Sequence, residues 1–187
     1  MVKQGSLQAN TFVKFEEPLF AADDFDLQEP RIGIGVIDPK PPSPPTCTCL
    51  NLESLKCFET VEHQYEEWGI VFDNCIAIQP SNPAFPPHSG SVVLMGAPKG
   101  GFLEASFLHP VNAVSAYVTS SQRLVLSAYN CDRQIIAQTV LPGANLANSD
   151  SVVPPNTQLY IRAKDICSVT FCAFDGQFTV DDFTFCN

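Results

Sequence analysis

The chain has 187 residues, among them 14 Phe, 16 Pro and a single Trp. Its 10 basic and 20 acidic side chains leave a formal charge of -10, which makes nucleic-acid phosphates and anionic membranes repulsive partners and excludes both classes. A chain of this length is expected to hold one domain with a self-sufficient core, plus an appendage. No stretch approaches 18 apolar residues, and MVKQGSLQANTFVKF at the start lacks the apolar centre of a signal peptide. A protein made in the cytoplasm and not spanning a membrane is therefore expected. Its eight cysteines point instead to an oxidising final location, and a particle assembled inside a cell and later released would reconcile the two.

Residues 1–46 form the appendage. They hold 7 of the 16 Pro and end in Asp38-Pro-Lys-Pro-Pro-Ser-Pro-Pro-Thr46, a polyproline-like spacer poor in backbone donors. Ahead of it, Phe12, Phe15, Phe20 and Phe25 sit among acidic residues, followed by an apolar run carrying Ile32, Ile34 and Val36. An arm of this kind cannot bury its aromatic rings alone, so these seven residues are read as an assembly arm that docks on neighbouring protein subunits.

Residues 47–187 form the domain. After the only plausible helical piece, a turn or two at 50–55, strand-like runs recur at 57–61, 68–72, 75–79, 91–96, 102–108, 111–119, 123–130, 134–141, 157–163, 166–174 and 177–186, with Pro, Gly, Asn or Ser between them. The clearest is 108–136. There Val114, Ala116 and Val118 alternate, then Leu124, Leu126 and Ala128, as in a half-buried hairpin continuing into a meander. The expected fold is all-β, an antiparallel β-sandwich or jelly roll of about 8–11 short strands. Parity changes in the last run: Phe178 and Val180 alternate on one face while Phe183 and Phe185 belong to the other, so either both faces are covered or a bulge falls near Asp181-Asp182.

Six motifs fall in an order that resembles a family of bacterial surface and secreted β-sandwich domains, themselves similar to carbohydrate-binding jelly rolls. They are Phe58-Glu59; Tyr65 with Gly69-Ile-Val-Phe72; Pro86-Pro-His-Ser-Gly90-Ser with Val92 to Leu94; Phe107-Leu-His-Pro-Val111 with Val114-Ser-Ala-Tyr117; Leu124 to Tyr129; and Phe178-Thr-Val-Asp-Asp-Phe-Thr-Phe185. The resemblance covers residues 57–186, and Arg133 stands where such domains carry a turn Gly. First and last strands are neighbours in these jelly rolls and can hold a structural Ca²⁺, which implies Glu59, Asp181 and Asp182 as candidate ligands. The same adjacency makes Cys57 with Cys186 the first disulfide candidate; solvated carboxylates and buried reduced thiols are the plainer alternatives.

Catalytic motifs are sparse. The chain has three histidines, no GxSxG elbow, no HExxH and no phosphate-cradling glycine loop, and Glu66-Glu67 and Asp181-Asp182 are neighbours rather than a spaced acid pair. No catalytic residue is assigned, and an enzyme is not expected. Tyr65, Phe85 and His88 are the candidate aromatic platform for a glycan, with the Pro80–Gly90 loop as its rigid support. Trp68, next to Gly69, reads either as a member of that platform or, in preference, as a core anchor. The function expected from the sequence is a non-catalytic subunit of a larger assembly, a bacteriophage virion component docking through its arm. The second expectation is a secreted or surface carbohydrate-binding module.

Overall fold

The computed structural model describes residues 46–96 and 101–187; the arm residues Phe12, Phe15, Phe20, Phe25, Ile32, Ile34 and Val36 lie outside them. Alternating apolar residues set the strands β1 (Cys47–Cys49), β2 (Ile70–Asp73), β3 (Cys75–Ile78), β4 (Val93–Gly96), β5 (Phe102–Ser120), β6 (Leu124–Tyr129), β7 (Ile135–Leu141), β8 (Thr157–Ala173) and β9 (Phe178–Cys186). The only helical piece among the described residues is a single 3-10 turn, Glu66–Trp68.

Hydrogen bonding is antiparallel throughout and continuous, in the order β3-β4-β9-β5-β8-β6-β7, with β1 added to β9 and β2 to β5. Two strands are long enough to belong to two layers. The first half of β5 pairs with β2 and with the second half of β8, which in turn pairs with β6. The second half of β5 pairs with the first half of β8 and with β9. Register shifts around Val111 mark the change of layer. The two layers face each other through aromatic rings: Phe183 on β9 lies 5.6 Å from Phe72 on β2 and 6.2 Å from Phe171 on β8, edge to face. This is a β-sandwich with one continuous core.

Three sequence expectations are corrected. Strands β5 and β6, read as a hairpin, do not pair; β8 lies between them, and the true hairpin is β6 with β7. Alternation reports which face is buried, not which strand is the neighbour, so both pairings satisfy the same pattern. Residues 57–61 are not a strand but an edge-covering segment, with one bridge, Thr60 to Ile76, and backbone bonds from Phe58 and Val61 to Ala77 and Cys75. Trp68 is 56% exposed rather than a core anchor.

The cysteines also pair differently. Cys186 bonds Cys47, its directly opposed partner across β1 and β9, with Cα atoms 4.1 Å apart, and Cys131 bonds Cys167. Cys57 is an exposed free thiol. A last strand does neighbour a first one, but the first strand is β1, which begins directly after the Pro-rich spacer. Burial pushes the Cys75 thiol above its ordinary range, which leaves it protonated inside the core.

Arg133, at the position where a Gly was expected, has φ 60°. Its guanidinium is held by Glu104 on β5, by the Ser168 hydroxyl and over the Tyr129 ring. Glu104 raises the Arg133 pKa further, and these contacts offset the strain of a left-handed, non-glycine turn residue.

Candidate functional site

Of the two alternatives at Asp181-Asp182, the bulge is present. Ser115 faces Thr184 while Tyr117 faces Asp181, so β9 carries one extra residue, and Asp182 takes φ 45°. That extra residue restores parity: Phe178, Val180, Phe183 and Phe185 are all buried in the core. It also turns both carboxylates toward the Pro80–Gly90 loop. Asp181, 3% exposed, accepts hydrogen bonds from the His88 and Ser89 backbone N–H groups at 2.7 and 3.0 Å. Asp182 accepts from the Ser89 hydroxyl at 2.5 Å and bonds His88 Nδ1 at 2.6 Å, while the His88 ring stacks on Tyr117 at 3.5 Å.

Beside this pair stands Glu53. Its carboxylate accepts from the N–H groups of Ser91 and Val92, which hold its pKa below the usual carboxylate value. Gly90 is required here, because a Cβ on it would lie 2.3 Å from Glu53 Oε1. The three carboxylates thus each accept hydrogen bonds from donors on the 88–92 segment. Glu59 is not brought to the pair; it accepts from the Lys56 N–H. Among the described residues, no group of three or more His, Cys, Asp or Glu is placed to hold a metal ion.

A different surface begins on the far side of Asn51. A recess of about 300 Å³ is lined by Asn51, Ser54, Gln64, Tyr65, Glu67 and Trp68. Local sequence explains its form. The 3-10 turn Glu66–Trp68 ends on Gly69 at φ 87°, whose N–H caps the Glu66 carbonyl, and this left-handed exit sends Ile70 into the core while leaving Trp68 outside. Tyr65 forms the wall from behind. It is buried and donates its hydroxyl to the Asn51 carbonyl at 2.7 Å, and burial raises its pKa to about 12. Among the described residues, the side chains of Glu67 and Trp68 make no hydrogen bond, in contrast to the saturated cluster at the bulge.

A second recess, of about 210 Å³, opens beside β3 and β4. Ile76, Phe85 and Phe178 line its apolar part, and Gln79, Asn82 and Gln177 contribute amides. Phe58 stands at it, 78% exposed and at φ 68°.

The three residues expected to form one aromatic platform are therefore dispersed. Tyr65 backs the Trp68 recess, Phe85 lines the Phe58 recess, and His88 belongs to the bulge cluster. The residue that sequence reasoning missed as a site candidate is Phe58; for Trp68 the core reading was preferred to the platform one, although a Gly after an aromatic can end a turn as well as pack a strand. Nothing in the sequence marks Phe58 as left-handed.

Together these features define an all-β sandwich with two small surface recesses, each presenting an exposed aromatic ring. No protein-family model matches the chain, and no curated protein matches its sequence. Among solved structures the chain is similar to a DUF4465 family protein from Bacteroides caccae, at 10% identity over 75% of this chain and 98% of that one, with a TM-score of 0.46. It is also similar to TmCBM61, solved in complex with β-1,4-galactotriose, at 9% identity over 69% of this chain and 99% of that one, with a TM-score of 0.37. Likenesses of this degree leave the site to be argued from its geometry.

Proposed function

We propose that the domain is a non-catalytic, extracellular or cell-surface glycan-binding module that seats a sugar ring on Trp68. The carrying observation is the exposed indole, 56% accessible, that lines a polar recess. An indole face binds the apolar C–H face of a pyranose, and nearby amide and carboxylate groups fix hydroxyls; Asn51 and Glu67 are the groups that would orient it here. Two disulfides support an oxidising location. The virion role expected from the sequence depends on an arm outside the described residues, and nothing in the described domain favours it.

Because Trp68 is the only Trp, its fluorescence reads its own site directly. Titration with a panel of oligosaccharides is expected to shift or quench the emission saturably. Trp68→Ala is expected to weaken binding of that ligand at least ten-fold, measured by calorimetry, with an unchanged melting temperature. A silent panel, or full affinity in Trp68→Ala, would refute the reading.

A further inference from the structure

We propose that the recess beside Phe58 is a second sugar subsite, selective for an uncharged pyranose; this rests on the same glycan-binding reading of the domain. None of the twelve residues lining the recess is charged, on a chain with a net charge of -10. The carboxylates closest in sequence to the lining are turned elsewhere: Glu59 accepts from Lys56, and Asp181 is enclosed by the 88–89 amides. A charged ligand finds no counter-ion among the described lining residues, and a wholly apolar one would leave the amides of Gln79, Asn82 and Gln177 desolvated without partners. A ring with one apolar face and a hydroxylated rim satisfies both halves. The volume, about 210 Å³, exceeds the ~150 Å³ that admits a benzene ring, so one six-membered ring fits and two do not.

Phe58 is the second line of argument. A bulky residue at φ 68° is strained and persists only where its surroundings fix it. Here the Phe58 N–H donates to the Ala77 carbonyl at 2.7 Å, and the Glu59 N–H to the Lys56 carbonyl. These bonds lock the turn, and the turn displays the ring at the recess instead of burying it. The backbone geometry would suit glycine better, so the ring contributes nothing to folding that a smaller residue would not. Its position fits a stacking surface.

Calorimetry with neutral disaccharides and the corresponding uronic acids tests the assignment in the full chain. In Trp68→Ala, a neutral disaccharide is expected to bind with a stoichiometry of one. Phe58→Gly and Gln177→Ala, each made in that background, are expected to weaken it at least ten-fold. Phe58→Gly relieves the positive φ, so its melting temperature should hold or rise, and a loss of binding cannot be a loss of fold. Preference for the uronic acid, or unchanged affinity in both variants, overturns the second subsite. If native Trp68 fluorescence still responds in that case, the first site stands alone. Calorimetric binding that depends on Phe58 without a Trp68 response would instead retain this subsite and sink the Trp68 reading.

Discussion

The bulge cluster and the Trp68 recess lie on either side of Asn51 and are built from the same kinds of residue, yet they do opposite things. At the bulge, Glu53, Asp181 and Asp182 meet backbone N–H groups, a hydroxyl and an imidazole, so every carboxylate has its donors within the fold. In the recess, Glu67 and Trp68 are presented to solvent by a capped turn and keep their polar atoms for something else. An acidic group is therefore a poor guide to a site unless its partners are counted. The acidic cluster has its hydrogen-bond acceptors occupied within the fold, whereas the side chains of Glu67 and Trp68 on the exposed turn make no hydrogen bond among the described residues.

Several measurements would break or sharpen that contrast. The largest effect is expected on the structural side, from removing the staple between β1 and β9. Cys47→Ser is expected to destabilise the fold by roughly 5 kcal/mol by the chain-entropy relation for a closed loop of this length, since the bond joins residues 139 apart. Unfolding in urea checks it, and a change under 1 kcal/mol would mean that β1 contributes little. Asp181→Ala is next, at about 2–4 kcal/mol, because it removes the buried carboxylate that accepts from the His88 and Ser89 N–H groups. The same variant should keep its glycan affinity within two-fold; a ten-fold loss would merge the two regions into one site.

A pH titration gives a smaller effect and a definite sign. Tyr65 is raised by burial to about 12, above its ordinary value near 10 in the unfolded chain. Its contribution to stability is complete below pH 10 and is lost as pH rises from 10 toward 12, as the unfolded state releases a proton that the folded state keeps. Tyr65→Phe should flatten the fall in melting temperature over that window. An equal fall in both proteins would place Tyr65 in water. Smallest in stability is Trp68→Ala, within about 0.5 kcal/mol of the native chain as for other exposed positions, although its effect on binding is the largest expected.

Much of the fold was legible because burial leaves a period of two in the sequence. Strands β2 through β9 fall close to the expected runs, and the parity break at Phe183 marked the place of the β9 bulge without separating a bulge from a strand covered on both faces. What alternation cannot report is which strand lies beside which. Hence β5 and β6 were read as partners, and the two halves of β5 and of β8 as separate strands, because His109-Pro110 and Lys164-Asp165 look like turns. Pairing of Cys186 with Cys57 failed for the same reason: β1 has three residues and no period to read. The sites were less legible still. Tyr65, Phe85 and His88 share aromatic chemistry, but exposure depends on turn geometry at Gly69 and Phe58, which composition does not encode.

The staple has a mechanical side as well. Strand β1 enters directly after the Pro-rich spacer and β9 is the last of the described strands in chain order, so the first and last strands are joined covalently across one pair. A pull applied between the spacer and residue 187 passes from Cys47 to Cys186 through a single covalent bridge and bypasses the residues between them. The sandwich and both recesses would carry none of that load. A domain wired in this way can sit on a tether under tension and keep its surface in shape for whatever it holds.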